Sequence, residues 1–199
     1  MDADLHQRIE RLEAIEAIRQ LASRYALAID VRDLDALVEL FLEDVQVGRD
    51  RFGRAALREW FDHILRNRIK QTAHIVMNHV IEVGTADSAS GVVYCRAEHE
   101  LDENFVVQQM QYWDSYSRRD GQWYFRRRIP LAWYATDVLD RPVGDKKIRW
   151  PNQPPREGEL PGWWPSWDVY WQSPVPTTET PLREPVPSEQ WLARVQRKL

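Results

Sequence analysis

The spacing of apolar residues changes once along this chain, near residue 70, and that change restricts the possible fold more than any other feature. Before it, apolar residues recur at three- and four-residue steps, the period of an amphipathic helix. The pattern predicts helices over residues 5–29, 34–41 and 57–65, with Asp33 as the N-cap of the second. Residues 44–47 predict a short strand between the second and third helices.

Beyond residue 70 the chain is rich in β-branched and aromatic residues, and turn-forming residues divide it into four segments. They predict strands over residues 73–83, 90–101, 105–118 and 122–133. Three helices followed by an antiparallel meander indicate an α+β fold, in which helices pack on one face of a sheet. We therefore predict a cone-shaped, curved antiparallel sheet packed by three N-terminal helices.

A change of composition divides the chain into a domain over residues 1–135 and an extended C-terminal arm over residues 136–199. The arm holds eleven of the twelve prolines and six of the ten tryptophans. Proline disfavours regular helix and central strand, whereas a disordered tail would be poor in aromatic residues. We predict that the arm packs on the cone or on a neighbouring subunit, as a structural strap or as a lid. Most of four indoles should then be buried: Trp163, Trp164, Trp167 and Trp171.

Composition and charge argue against several classes of protein. The formal charge is −4 and no basic face dominates, so no nucleic-acid partner is expected. No apolar segment approaches the roughly 20 residues of a membrane span, and the N-terminus lacks the apolar segment of a signal peptide. Cys95 is the only cysteine, which excludes an intrachain disulfide and fits the cytoplasm. We therefore predict a cytoplasmic protein without a membrane partner.

Asp30 and His74 are the residues whose positions most indicate chemistry. Asp30 ends the first predicted helix, and His74 opens the first long strand. A neutral imidazole is a suitable base near pH 7, and a carboxylate on its other nitrogen would fix the tautomer and stabilise the charged form. The alternative is a structural histidine. The other acidic residues and histidines lack metal-ligand spacing, and there is no Gly-rich phosphate loop, so we predict no metal and no cofactor.

Four segments together resemble a known family. They are residues 25–30, 32–41, 74–78 and 116–126. The chain over about residues 8–135 resembles the SnoaL-like branch of the nuclear-transport-factor-two-like superfamily. Within it, the pattern is similar to cofactor-free lyases: scytalone dehydratase, hexachlorocyclohexane dehydrochlorinase and bile-acid dehydratase. The resemblance implies that His74 is the catalytic histidine and that Asp30 is its partner.

Five further side chains are predicted to bind substrate: Tyr25, Asn78, His99, Trp113 and Arg126. The resemblance implies roles for His99 and for Arg126, the final-strand arginine. His99 also shares strand parity with small and apolar residues, which points it inward. Each has an alternative, such as a buried structural histidine for His99 and core packing for Tyr25. Arg127 or Arg128 could equally face the pocket instead of Arg126.

The resemblance implies a cofactor-independent lyase that eliminates water, halide or a small carbon fragment such as formaldehyde. The tryptophan-rich arm favours a hydrophobic aromatic or polycyclic substrate. Two alternatives remain open: an isomerase or polyketide cyclase on the same fold, and a non-catalytic ligand-binding or structural subunit. An apolar outer sheet face and the trimeric assembly of the resembling dehydratases predict a homo-oligomer, a trimer first and a dimer second.

Overall fold

Helices precede an antiparallel sheet in the computed structural model, which describes residues 3–172 and confirms the predicted α+β fold. The elements are α1 (Ala3–Asp30), α2 (Leu34–Glu39), β1 (Gln46–Val47), β2 (Arg51–Phe52), α3 (Arg54–Arg68), β3 (Gln71–Thr85), β4 (Ser88–Glu100), β5 (Phe105–Arg119), β6 (Gln122–Asp137) and α4 (Pro165–Gln172). The predicted domain boundary at residue 136 falls within β6. Residues 173–199 of the predicted arm lie outside the described residues.

A tight reversal of the chain follows α1 and fixes where that helix ends. Arg32 adopts a left-handed backbone conformation with φ of 63°. The backbone N–H of Asp33 then donates to the carbonyl of Ala28 over 2.9 Å, which satisfies a carbonyl at the helix end. Asp33 caps α2 as predicted, because its Oδ1 accepts the N–H of Ala36 over 3.0 Å.

The four long strands form one sheet in the order β3-β4-β5-β6, with every neighbouring pair antiparallel. The inner face of this sheet packs against the three N-terminal helices. That layer contains the main core, including Ile18, Leu37, Val93, Tyr116 and Phe125, each no more than 1% exposed. The sheet does not close on itself within residues 3–172, since β3 and β6 form its two edges.

Four register shifts, two with the extra residue on β3 and two with it on β6, interrupt the alternation of side chains along the sheet, and one in each strand lies at a predicted site residue. In β3, Met77 and Asn78 lie between Val76, which pairs with Cys95, and His79, which pairs with Val93. In β6, Arg126 is an extra residue, because Phe125 pairs with Tyr116 and Arg127 pairs with Ser115. A bulge moves every later residue of the strand to the opposite face from the one that strict alternation gives.

The first part of the arm covers the free edge of β6. Ala135 exchanges backbone hydrogen bonds with Lys147 and Arg149, and the N–H of Leu160 donates to the carbonyl of Ala132 over 3.1 Å. An uncovered edge strand is a template for aggregation, so these contacts protect the sheet. Leu160 is 4% exposed within a cluster on the outer face of the sheet.

The end of the described arm differs from the expectation of an extended segment. α4 is a helix that begins at Pro165, a residue well suited to a first helical position because its missing N–H needs no partner there. Trp163 and Trp164 are partly buried against the outer-face cluster. Trp167 and Trp171 on α4 are 40% and 67% exposed in the single chain, so they are not buried against the cone, and their burial against a neighbouring subunit stays a prediction.

Apolar side chains on β3 are also exposed: Ile75, Met77 and Val80 are 43%, 40% and 49% exposed. The homo-oligomer stays a prediction. Among the described residues, no helix is long and apolar enough to cross a membrane.

The contact between the arm and β6 predicts a difference between two glycines. A Cβ at Gly158 would lie 2.5 Å from the carbonyl oxygen of Trp133, whereas a Cβ at Gly162 would meet nothing within 4 Å. We expect Gly158→Ala to lower the free energy of unfolding by about 1–3 kcal/mol, because the arm must move off the strand. Gly162→Ala is the matched control and should have little effect. Equal stability of both variants in urea unfolding would contradict the observed docking of the arm.

Candidate active site

The end of α1 and the start of β3 meet through Asp30 and His74. His74 Nδ1 lies 2.7 Å from Asp30 Oδ1, and the backbone N–H of His74 donates to Asp30 Oδ2, also over 2.7 Å. An ionised carboxylate only accepts hydrogen bonds, so in a neutral His74 ring this contact places the proton on Nδ1 and leaves the lone pair on Nε2. The His74 side chain is 5% exposed and that of Asp30 is 24% exposed.

The Thr72 side chain also binds this carboxylate, and Arg32 in turn binds Thr72. The Thr72 hydroxyl donates to Asp30 Oδ1 over 2.7 Å and accepts from Arg32 Nη1 over 2.8 Å. Arg32 Nη1 also donates to the carbonyl of Ile29 over 2.7 Å. Sequence reasoning missed both residues, although Thr72 has the strand parity of His74 and could have been placed beside it.

The pKa of Asp30 is lowered from its ordinary value. Burial alone would raise it, but the hydrogen bonds from the His74 ring, the His74 backbone and the Thr72 hydroxyl together outweigh burial. Asp30 is therefore a carboxylate at neutral pH, which is the form that can orient a neutral histidine and stabilise a protonated one.

His74 lines a cavity of about 860 Å³ between the helices and the inner face of the sheet. Its apolar wall contains Trp60, Phe61 and Ile64 from α3, and Met110 and Tyr112 from β5. Asp30 is not among the lining residues, so it acts on the cavity only through His74. The volume is ordinary for a site that encloses a small organic molecule.

His99 lies beside His74 in this cavity, as its strand parity predicted, with the two ring centroids 5.9 Å apart. It is 6% exposed, and neither ring nitrogen makes a well-formed hydrogen bond to the described residues, although the side chain of Gln108 interacts with the ring. Burial, followed by the nearby His74, lowers the pKa of His99 to about 4. A buried, unpartnered polar group is costly, so a neutral imidazole here is a ready partner for a bound ligand.

Tyr25 is 7% exposed and contributes to the wall of the same cavity, and its contact with a substrate stays a prediction. Its ring centroid lies 6.5 Å from that of His74. Burial is the largest of the effects that raise the pKa of Tyr25 to about 12, so its hydroxyl remains protonated at neutral pH.

The inward arginine is Arg128 and not Arg126, because the β6 bulge shifts the alternation by one residue. Arg126 is exposed, whereas the Arg128 side chain is only 4% exposed and holds Asp114 through Nε and Nη2 over 3.0 and 2.7 Å. Its guanidinium lies 4.1–4.4 Å from the ring centroids of Tyr112, Phe125 and Tyr25. Arg128 is not a cavity-lining residue, and its position under Tyr25 supports the cavity floor.

Asn78 and Trp113, which were predicted to bind substrate, do not line this cavity. Asn78 lies in the β3 bulge and is exposed, and His79 takes the inward position, with Nε2 3.1 Å from the Tyr116 hydroxyl. Trp113 is buried on the outer face of the sheet, in the cluster that the arm covers. Nearly every residue of β5 is shielded on both faces, so burial there does not identify the inner face.

No group of three or more acidic, histidine or cysteine side chains within residues 3–172 could hold a metal ion. The polar groups that this part of the chain places in the cavity wall include His74, which is bonded to Asp30, together with His99 and Tyr25.

Comparison with known proteins identifies a family by sequence. Residues 10–129 match the sequence model of the SnoaL-like domain. No curated protein sequence matches the chain. The arm lies outside the matched range.

Solved structures give the same fold. A proposed scytalone dehydratase from Novosphingobium aromaticivorans is 24% identical, with a TM-score of 0.60, and the match covers 67% of this chain and 93% of that one. Hexachlorocyclohexane dehydrochlorinase LinA-type3 from Novosphingobium barchaimii is 22% identical, with a TM-score of 0.61 and coverage of 66% and 94%. A protein of unknown function from Mycobacterium tuberculosis is 27% identical, with a TM-score of 0.56 and coverage of 73% and 83%.

The low pKa of His99 predicts a pH dependence of stability. Between about pH 4 and 6.5 the unfolded chain binds a proton at His99 that the folded chain does not, so stability falls as the pH falls through this range. His99→Leu should flatten the dependence by up to about 1.4 kcal/mol per pH unit. Urea unfolding at pH 7 and pH 4.5 measures it, with the exposed His63→Leu as control. An unchanged pH dependence in His99→Leu would show that His99 titrates normally.

Proposed function

This chain belongs to the SnoaL-like domain family, and we propose that it is a cofactor-independent lyase in which His74 removes a proton from the substrate while Asp30 orients it. The observation that carries the proposal is the 2.7 Å contact between Asp30 Oδ1 and His74 Nδ1 at the wall of a cavity. With its Nδ1 proton held, the ring can accept a proton only at Nε2. The resulting imidazolium is stabilised by the adjacent carboxylate.

The second half of an elimination is the departure of a group, and two neutral donors are suitable for assisting it. His99 has two ring nitrogens without a well-formed hydrogen bond among the described residues, and at neutral pH one of them carries a proton that can donate a hydrogen bond to a departing oxygen or halide. Tyr25 keeps its phenolic proton because its pKa is raised. Both donors can stabilise the negative charge that develops on the departing group.

The apolar walls support a hydrophobic aromatic or polycyclic substrate. Trp60, Phe61, Met110 and Tyr112 contribute ring and thioether surface, and the volume of about 860 Å³ accommodates more than one ring. The similar structures, a proposed scytalone dehydratase and a hexachlorocyclohexane dehydrochlorinase, support an elimination reaction as the class of chemistry.

A general probe of proton removal tests the proposal without the natural substrate. A base takes one carbon-bound proton from 5-nitrobenzisoxazole while the N–O bond breaks to give a cyanophenolate, which absorbs visible light. We expect the protein to accelerate this reaction, and His74→Ala and Asp30→Asn each to lower the rate by about a hundredfold or more. His63→Ala, an exposed histidine on α3, should leave the rate unchanged.

Circular dichroism should show that both variants of the pair are folded. Wild-type rates in folded His74→Ala and Asp30→Asn would contradict the proposal. A loss of rate with His74→Ala and not with Asp30→Asn would leave the histidine as base and remove the role of the carboxylate.

A further inference from the structure

The arm closes one side of the cavity with a loop over residues 148–156, called the arm loop below. Ile148 and Arg156 pair at its base, with backbone hydrogen bonds of 2.9 and 3.0 Å. Five residues of the arm loop line the same cavity as His74: Trp150, Pro151, Asn152, Gln153 and Arg156. These residues lie beyond residues 10–129, the part of the chain that matches the SnoaL-like domain.

The tip of the arm loop is a turn whose shape its sequence determines. The N–H of Gln153 donates to the carbonyl of Trp150 over 3.2 Å, and Asn152 has a positive φ of 60°. Proline followed by an Asn with positive φ is the pattern of a type II turn. Proline restricts the backbone before binding, so this wall is pre-organised and loses little entropy when a ligand docks.

Trp150 supplies the apolar surface of the arm loop. Its ring centroid lies 5.2 Å from that of His99, so the indole covers the unpartnered histidine. A substrate ring that reaches His99 must therefore pack beside this indole, and aromatic pairs in such arrangements are favourable.

Arg156 supplies a polar group that is already held in position. Its Nη1 donates to Glu159 Oε1, while Glu159 Oε2 accepts the N–H of Ala132 over 2.9 Å. No residue among those described bonds to Nε or Nη2 of Arg156. That edge is the one through which Arg128 holds a carboxylate in the same protein, so it can give two hydrogen bonds to an oxygen acceptor.

The charges of the cavity wall decide what kind of acceptor suits it. Glu159, which is 6% exposed, compensates the charge of Arg156. The lining itself has two arginines (Arg68 and Arg156) and two carboxylates (Asp102 and Glu103), and Glu159 adds a third carboxylate behind Arg156. Without an excess of positive charge, the site gives an anion no net attraction and suits a neutral ligand better.

We propose that the arm loop forms a specificity subsite for a neutral aromatic ring that carries an oxygen acceptor, with Trp150 against the ring and Arg156 Nε–Nη2 bonded to the oxygen. The subsite rests on the proposed function, because it assigns the substrate class of the same cavity. It makes the arm a part of the substrate site in addition to a cover for β6.

A pair of nearly isosteric probes tests the subsite in the full chain. 2-Acetonaphthone has a neutral carbonyl acceptor, and 2-isopropylnaphthalene has none. In equilibrium dialysis at pH 7 we expect the protein to bind the ketone at least tenfold more tightly. 2-Naphthoate tests the anionic alternative and should bind no more tightly than the ketone. Failure of the protein to bind the ketone, or equal affinity for the two neutral probes, would overturn the subsite.

Variants assign the preference to Arg156. Arg156→Lys keeps a cation beside Glu159 but lacks the planar two-donor edge, so the tenfold preference should fall to about twofold or less. The double variant Arg156→Met/Glu159→Gln should lose it too, without leaving a buried carboxylate unpaired. Arg141→Met, on the exposed part of the arm, is the matched control and should keep it. A preference that survives in both Arg156 variants would overturn the proposal.

Two further measurements separate the subsite from the chemistry. Trp150→Leu should weaken both neutral probes by a similar factor and leave their ratio unchanged, whereas an unchanged affinity would remove Trp150 from the subsite. A wild-type protein that prefers the ketone but does not accelerate proton removal from 5-nitrobenzisoxazole would leave the subsite standing while the lyase proposal failed.

Discussion

The hydrogen bonds between Asp30 and the His74 residue join the last residue of the longest helix to the first strand of the sheet. The backbone N–H and the ring of His74 both reach the same carboxylate, so the position of β3 and the orientation of the imidazole are set together. The left-handed turn at Arg32 ends the helix where the carboxylate is needed, and the Arg32 side chain then supports it through Thr72. The fold and the candidate chemistry thus depend on one contact.

Behind the cavity, a buried network gives the floor its rigidity. Arg128 and Asp114 are 4% and 0% exposed, and three aromatic rings surround the guanidinium. Removing one partner of a buried ion pair typically costs about 3–5 kcal/mol, because the other charge is left unpaired. Tyr25 lies between this pair and the cavity, so the network fixes the position of Tyr25, a proposed hydrogen-bond donor to the leaving group.

The order of helices and strands could be predicted from the period of the apolar residues, and the helix end and strand start located Asp30 and His74. The inward direction of the His99 side chain could be predicted from simple alternation, because β4 itself contains no extra residue. Asn78 and Arg126 could not be placed in this way. Each lies in a bulge, and the extra residue turns His79 and Arg128 inward in their stead. Bulges depend on pairing between strands, which a single sequence does not contain.

The arm was recognised by its composition, but its structure depends on tertiary contacts. Its prolines rigidify the loop that lines the cavity, and Pro165 begins a helix instead of preventing one. Trp113 was assigned to the substrate site, yet it lies on the outer face under the arm. Both faces of β5 are covered, so a buried tryptophan in this strand could belong to either face. Tryptophan content indicated that the arm packs on the domain and could not indicate on which face.

Nitrogen-15 NMR of the His74 ring tests the central claim most directly, because only an unprotonated Nε2 can accept a proton from the substrate. With the signals assigned by their loss in His74→Gln, we expect at neutral pH a protonated Nδ1, bonded to Asp30, and an unprotonated Nε2. A ring that carries its proton on Nε2 would have no lone pair to offer the substrate there, and that result would contradict the role of His74 as the base.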